Sequence, residues 1–353
     1  MKLRGRKRQA GTERAQQNGR VEVSVLTPVL NEEAHIRETV AAMRNQEFEG
    51  AVEFLFMDGG STDGTRAILE QLAREDPRIR VLDNPGRGIP QGLNVGLRHA
   101  RGDYVARMDA HAHYPPAYLA RGVERLQPGD VGWVAGAPIP AGGGKWSRRI
   151  SLALRSPLGV GGSPKWATES ETGLDTGVFG GVWRRTTLEQ LDGWDEGWAV
   201  NEDSELAARW HAAGMRIVGI PELAARYIPR DSVGALARQY ARYGFYRAKT
   251  ASRHPDSMRR SLWLPPALVT TALTAVIGPR PIRGFARAGM AVYGAALLAG
   301  SALAADARPT DRAALPIVFA TMHGSWGAGF LAGAARFGPP LAAAGRFFGF
   351  AGG

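Results

Sequence analysis

Apolar and polar positions alternate in blocks over the first part of the chain. Val21–Leu30 (VEVSVLTPVL) reads as a strand that stops at Pro28 and Asn31, and Glu32–Arg44 then sets Ile36, Val40 and Met43 at helical spacing. Val52–Met57 predicts a buried strand ending at Asp58-Gly59-Gly60-Ser61. Thr65–Arg74 predicts a helix carrying Ile68, Leu69 and Leu72. Ile79–Leu82 reads as a third strand, Leu93–Ala100 as a third helix, and Tyr104–Met108 as a fourth strand running into Asp109. Strands alternating with helices imply an α/β fold, with a mainly parallel sheet covered by helices on both faces. Ligands of such sheets gather beyond the carboxyl ends of the strands. Thr27–Asn31, Asp58–Ser61, Asp83–Gly88 and Asp109–His113 fall at such ends, so four polar loops are expected to converge on one crevice.

The pattern changes after residue 260. Ser261–Pro279 is uncharged for 19 residues, Ala288–Ala305 for 18, and Ala313–Ala335 for 23 apart from His323. These lengths approach the roughly 20 residues that a membrane-spanning helix requires. Arg280, Arg283 and Arg287 follow the first run, and the positive-inside rule disfavours carrying them across. The first run is therefore expected to be re-entrant or interfacial, with the second and third forming a hairpin.

Charge sharpens this division. Of 353 residues, 44 are Lys or Arg and 33 Asp or Glu, a formal net charge of +11. Residues 1–20 hold seven basic side chains and one acid, and residues 226–260 hold nine against two, so the rest of the chain is slightly acidic. No basic footprint interleaved with reading elements is present, which argues against nucleic acid. A basic segment just ahead of apolar runs suits an anionic membrane surface. The expected organisation is a basic tail (1–20), a catalytic α/β domain (21–225), basic amphipathic interfacial helices (226–260) and hydrophobic membrane-associated segments (261–353). The basic start lacks an apolar run, so no signal peptide is read there and the front of the chain is expected in the cytoplasm. The chain has no Cys, which excludes disulfides, thiolate metal sites and a cysteine nucleophile.

The loops carry candidate chemistry. Asp58, in Asp58-Gly-Gly-Ser-Thr-Asp63-Gly-Thr, can accept from an imide N–H or a hydroxyl, while Ser61–Asp63 also read as a turn and helix cap. In Arg107-Met-Asp109-Ala-His111-Ala-His113, period two would put Asp109, His111 and His113 on one side of an extended chain. A carboxylate and an imidazole so placed can share a divalent ion, with nitrogen ligation favouring Mn2+ over Mg2+. Asn201-Glu202-Asp203 opens a helix, where acids serve either as dipole partners or, beside a sugar acceptor, as a general base. Trp194 and Trp198 in the preceding loop are either a ring-stacking surface or core. Gln239 and Arg242 lie in the basic segment, where an arginine can clamp phosphates or touch lipid headgroups.

Thr27-Pro-Val-Leu-Asn31-Glu32, Asp58-Gly-Gly-Ser-Thr-Asp63-Gly-Thr, Leu93-Asn94-Val-Gly96, Gly102-Asp103-Tyr, Asp109-Ala-His111, Asn201-Glu202-Asp203 and Gln239-x-x-Arg242-Tyr243 occur in the order found in family 2 glycosyltransferases. Asp83-Asn-Pro-Gly-Arg87, the run from Arg107 to Pro115, Ser156-Pro-Leu-Gly-Val-Gly-Gly and His323-Gly-Ser-Trp-Gly-Ala-Gly-Phe resemble the succinoglycan-type exopolysaccharide glucosyltransferases more closely. The resemblance implies a GT-A fold, a nucleotide-diphosphate sugar such as UDP-glucose, a divalent metal (Mn2+ or Mg2+) and inversion at the anomeric carbon. It implies a polyprenyl-diphosphate-linked acceptor at the cytoplasmic face of the inner membrane, in the company of other polysaccharide-assembly enzymes. Carried over, Thr27, Pro28, Glu32, Arg87 and Asn94 line the nucleotide-sugar pocket and Asp58 meets the base. Asp109 holds the ribose or, with His111, the metal-bound diphosphate. Asp203 deprotonates the acceptor, Glu202 and Trp194 border it, and Gln239 and Arg242 bind diphosphate or the lipid phosphate. Two departures stand out: Asp109-x-His111 replaces the usual Asp-x-Asp, and Arg242-Tyr243 replaces Arg-Trp. A nucleotide-cofactor oxidoreductase is set aside because Gly86-x-Gly88-x-x-x-Gly92 misses the dinucleotide spacing. A catalytically silent sugar-binding or scaffold subunit remains the competing expectation, since His111 departs from the metal motif.

Overall fold

The computed structural model of the chain describes residues 20–166, 169–304 and 306–348. The basic tail expected over 1–20 lies outside them except for Arg20, which pairs with Asp103 at 2.8 Å. The chain forms two compact units. One takes residues up to Ile139 together with Pro164–Tyr227; the other takes Pro140–Ser163 and everything from Ile228.

The first unit is built on an eight-stranded sheet. Its strands are β1 (Val23–Val29), β2 (Val52–Asp58), β3 (Ile79–Asp83), β4 (Tyr104–Arg107), β6 (Trp133–Ala135), β8 (Thr172–Gly173), β9 (Gly181–Arg184) and β10 (Ile217–Gly219). Their order is β3-β2-β1-β4-β9-β6-β10-β8. The β3-β2-β1-β4 half is parallel, as the strand–helix alternation predicts, whereas β9 runs antiparallel to both β4 and β6. A separate small sheet pairs β5 (Ala112–His113) antiparallel with β11 (Ala225–Tyr227), and β7 (Pro138–Pro140) belongs to it.

Helices cover both faces. Ile36, Val40 and Met43 from helix Ile36–Arg44, and Leu69 and Leu72 from helix Thr65–Glu75, pack with Val23, Val25, Phe54 and Phe56 on one side. Leu93 and Leu97 from helix Ile89–His99, and Leu206 and Trp210 from helix Glu202–Ala212, pack with Leu26, Leu55 and Trp183 on the other. Covering both faces is why these strands read as nearly continuous apolar runs. The third helix begins four residues before the expected Leu93, because Pro90 sits in its first turn, where a missing N–H costs nothing.

The second unit is helical. Its elements are Lys145–Leu154, the short Pro157–Val160, Val233–Arg253, Leu264–Ile277, Arg280–Ala302, Pro309–Phe337 and Leu341–Phe348. Helix Val233–Arg253 lies against helix Pro309–Phe337 at backbone distance. A Cβ on Gly329 would stand 2.0 Å from the Ala241 carbonyl oxygen, and one on Gly244 would stand 1.9 Å from that of Trp326. Glycine at both positions is what lets the two helices touch.

The apolar runs of this unit pair in more than one way. The first and second form a tight hairpin, since Gly278 and Pro279 alone separate helices Leu264–Ile277 and Arg280–Ala302, and the second and third also meet, where the Tyr293 hydroxyl and the His323 ring lie 2.9 Å apart. The third run is the partner of a charged amphipathic helix, with Leu315, Val318, Phe319, Met322 and Phe330 buried. Among the described residues, only Arg260–Ile277 is long and apolar enough to cross a membrane by length and composition.

Candidate active site

The carboxyl ends of β1, β2, β3 and β4 bring the four loops together. Asn31 turns the chain in the left-handed region (φ +56°), which asparagine tolerates. Its N–H donates to Ser61 Oγ at 3.0 Å, and its side-chain oxygen accepts from the Thr62 N–H at 2.8 Å. The Glu32 N–H donates to Thr65 Oγ1 at 2.7 Å, and the Glu33 carboxylate accepts from the Gly64 N–H at 2.9 Å. The first two loops are thereby stitched into one wall. Thr27 is buried beneath Met43, its hydroxyl 3.8 Å from the sulfur, and Pro28 abuts Gly92.

Several residues expected to touch a nucleotide also hold this wall. Asp58 is buried; one oxygen accepts from the Ser61 N–H (3.1 Å) and hydroxyl (2.6 Å), while the other lies 3.4 Å from Arg66. Arg87, also left-handed at φ +60°, donates Nε–H to the Gly59 carbonyl at 3.1 Å. Asn94 accepts from the Trp194 N–H at 2.9 Å and donates to the Trp194 carbonyl at 2.8 Å and to Glu196 at 3.0 Å. Trp194 itself is packed in the core, its ring 5.7 Å from Trp183, and Trp198 is fully buried. The sugar-stacking surface expected of that loop is absent because both indoles face inward.

The centre of the site is Arg107, the last residue of β4 and only 3% exposed. Its Nε–H and one terminal N–H donate to the two oxygens of Asp109 at 2.7 and 3.2 Å. Its other terminal nitrogen donates to Glu202 at 2.9 Å, in the first turn of helix Glu202–Ala212. One guanidinium therefore ties the end of β4 to the turn that carries Asp203. Burial alone would raise the Asp109 carboxyl, but Arg107, with His111, outweighs it and holds Asp109 below the usual carboxylate range. Glu202 goes the other way, raised by burial and by neighbouring Asp203 despite Arg107. The Tyr114 hydroxyl accepts from the Asp109 N–H at 2.7 Å and is itself raised well above the ordinary phenol value by burial.

Extended geometry does not persist past Arg107. The chain turns at Ala110 and His111, so the expected one-sided row of Asp109, His111 and His113 is not formed. The turn swings the His111 ring to 3.3 Å from Glu32, closing the fourth loop onto the first, while His113 pairs with Arg226 in the small sheet. Sequence reasoning assigned Arg107 no role. Its signal was a charged residue inside the apolar strand run Tyr104–Met108, which burial permits only when the charge is paired.

The donor set bears on a divalent cation. Among the described residues, no three His, Cys, Asp or Glu side chains are gathered closely enough to hold an ion. Asp109 keeps further lone pairs beyond those facing Arg107, and His111 stands two residues away. One carboxylate and one imidazole fit an ion that completes its shell with diphosphate oxygens and water, as Mg2+-type sites do. Asp203 is half-buried at the start of its helix, its carboxylate accepting from the Ser204 N–H at 2.8 Å. Gln239 and Arg242 lie on helix Val233–Arg253 of the second unit, where Gln239 donates to the Tyr243 hydroxyl at 2.9 Å and Arg242 is exposed.

Comparison with known proteins agrees with this architecture. The profile described as glycosyl transferase family 2 matches residues 24–177. The succinoglycan biosynthesis protein ExoA of Rhizobium meliloti (strain 1021) is 32% identical over 316 residues, covering 87% of this chain and 93% of that protein. A dolichyl N-acetyl-alpha-D-glucosaminyl phosphate 3-beta-D-2,3-diacetamido-2,3-dideoxy-beta-D-glucuronosyltransferase of Methanococcus voltae is 25% identical over 231 residues, covering 63% of this chain and 71% of that protein. In structure, a mannosyltransferase from Pyrobaculum calidifontis, solved with GDP-Man and Mn2+, superposes with a TM-score of 0.60 at 22% identity, over 89% of this chain and 87% of that one. That likeness establishes the GT-A-like fold. Identity over nearly the whole length of the Rhizobium protein establishes more: this chain is a glycosyltransferase and belongs to glycosyl transferase family 2.

Proposed function

We propose that the enzyme transfers glucose from UDP-glucose, with inversion, to a saccharide carried on polyprenyl diphosphate. It would work at the cytoplasmic face of the inner membrane during extracellular polysaccharide synthesis. The observation that carries the chemistry is Arg107, which holds Asp109 on the donor side and the Glu202–Asp203 turn on the acceptor side. The choice of donor and acceptor rests on likeness to the succinoglycan protein and on the basic and apolar character of the second unit.

In this reading Asp203 removes the proton from the acceptor hydroxyl. The oxygen forms a bond to the anomeric carbon from the face opposite the diphosphate, the carbon–oxygen bond to the diphosphate breaks, and UDP departs with that electron pair. The proton rests on Asp203 until it passes to solvent. Asp109 and His111 would hold Mn2+ or Mg2+, which neutralises charge on a departing diphosphate. Arg107 sits between two carboxylates, so the network keeps one net negative charge that favours a cation there. Arg242, with Gln239, would add positive charge at the diphosphate or at the acceptor's lipid phosphate. Thr27, Pro28 and Glu32 form the first wall of the nucleotide pocket, and Asp58, Arg87 and Asn94 shape it from behind.

The test is UDP or GDP release from a panel of nucleotide sugars by membrane-reconstituted protein, with Mn2+, Mg2+ or EDTA and native lipid extract as acceptor. Release with UDP-glucose that needs metal and disappears in Asp203→Asn is the expected result. Release with a different donor replaces the glucose assignment, and absence of UDP binding by calorimetry overturns the proposal.

A further inference from the structure

The least covered surface of the second unit is the hairpin of helices Leu264–Ile277 and Arg280–Ala302. Its bend exposes apolar side chains on both arms: Ile277 is 77% exposed and Phe285 82%, with Val276, Ile282 and Val292 alongside. Arg280, Arg283 and Arg287 stand at the same bend, and between Asp256 and Asp306 the chain has no acid to offset them. Two of these arginines fold back over the bend. Arg283 donates from Nε and a terminal nitrogen to the Gly278 carbonyl at 3.1 and 2.9 Å, and Arg287 Nε–H donates to the Ala275 carbonyl at 3.1 Å. They close the carboxyl end of the first helix, where unpaired carbonyls and the helix dipole favour a cation. The charges are thus built into the bend and travel with it.

Length decides how such a hairpin meets a bilayer. The first arm has 14 α-helical residues, about 21 Å at 1.5 Å per residue. The second has 23, but its uncharged part runs only from Ala288 to Ala302, about 22 Å. With the helical turn Arg260–Trp263 ahead of it the first arm is long enough to cross, but the uncharged part of the second arm falls short of a hydrocarbon core of about 30 Å, so the pair cannot cross and return. A crossing would leave three arginines inside the core or carry them to the far leaflet, against the positive-inside rule. Helix Pro309–Phe337 supplies no further crossing. It is fixed at backbone distance to helix Val233–Arg253, which exposes Arg238, Arg242 and Arg253.

We infer that residues 264–302 form a single-leaflet hairpin. Its apolar side chains enter the acyl region of the leaflet on which the enzyme works, and Arg280, Arg283 and Arg287 lie on that leaflet's anionic phosphates. The inference rests on the membrane attachment proposed above and specifies its geometry. Aliphatic stems in the acyl boundary with guanidiniums at the phosphates satisfy both halves of each arginine.

The absence of Cys makes the test clean. Gly284→Cys places one thiol a turn beyond the bend, and Gly143→Cys places one on the second unit; a Cβ at either position meets nothing within 4 Å. Each full-length variant is expressed, and sealed inside-out and right-side-out membrane vesicles are treated with an impermeant maleimide. Labelling of Gly284→Cys from the same side as Gly143→Cys is expected. Labelling only from the opposite side, or from neither side before detergent is added, overturns the inference. Flotation with phosphatidylglycerol vesicles gives an independent reading. Replacing Arg280, Arg283 and Arg287 together by Gln should weaken binding about 100-fold there, at about one kcal/mol per charge, and leave binding to neutral vesicles nearly unchanged. Equal flotation of the triple variant and wild type removes the phosphates from the picture. Wild type that floats with no vesicle defeats membrane attachment itself, and a concentration-dependent dimer would then show a second copy covering the face.

Discussion

Two buried networks of arginine and carboxylate, one in each unit of this glycosyltransferase, are inverse in charge. In the α/β unit a single arginine, Arg107, lies between two acids, Asp109 and Glu202. In the helical unit a single acid, Asp311, lies fully buried between two arginines, Arg148 and Arg149. The first network leaves a negative charge at the carboxyl ends of the strands, where a cation and a diphosphate would sit. The second leaves a positive charge and joins helix Lys145–Leu154 to the first turn of helix Pro309–Phe337. Excess negative charge suits a cation, whereas Asp311, matched by two arginines, ties two helices together.

The comparison is broken most directly at Asp203. Asp203→Asn should lower turnover about 1,000-fold, the range expected for loss of a general base. Thermal stability should hold or rise slightly, because Asp203 pushes the Glu202 carboxyl up and the substitution removes that repulsion. A melt and a UDP-release assay on the same preparation separate the two effects. If turnover survives, Asp203 is only a partner of the helix dipole.

Arg107 sharpens the comparison by affecting both properties. Arg107→Met strands two buried carboxylates and should cost about 3–5 kcal/mol in urea unfolding. Adding Glu202→Gln removes one stranded charge and should return part of that stability. Activity should stay low in the double variant, because Asp109 has lost the fork that orients it. Activity that returns together with stability would make Arg107 a purely structural residue.

How far the sequence foretold these networks follows from what each interaction needs. The parallel half of the sheet was legible because two-sided burial leaves continuous apolar runs, and Asp58, Asp83 and Asp109 mark where those runs end. The intramolecular partners of Asn94 and Asp58 were not legible. A side-chain amide reads the same whether it faces a nucleotide or the backbone of Trp194, a hundred residues away. Arg107 was hidden for a similar reason, since its partner Glu202 comes from a distant helix. In the helical unit, uncharged length alone did not show which helices pair; the glycine contacts of Gly329 and Gly244 show that the third run pairs with helix Val233–Arg253. Two motifs that the chemistry left unused, the Ser156–Gly162 turn and His323, meet in this unit. The His323 ring bridges the Leu158 carbonyl and the Tyr293 hydroxyl, each at 2.9 Å.

The smallest expected effect lies at the clamp, and it carries a sign in pH. Asp311→Asn should cost on the order of 2–3 kcal/mol, less than Arg107→Met because Arg148 and Arg149 both keep partial access to solvent. Burial alone would raise the Asp311 carboxyl, but Arg149 and Arg148 outweigh it and hold it below the usual value. A carboxyl depressed in the folded state contributes stability that is complete above its unfolded pKa, about 3.9, and is lost as pH falls through the folded value. The gap between wild type and Asp311→Asn should therefore stay constant from about pH 8 to about pH 5 and narrow below about pH 4. Urea midpoints measured across that range decide it. A gap that persists unchanged in acid would mean that Asp311 holds its helix by shape and hydrogen bonding, and that its charge has no part in the clamp.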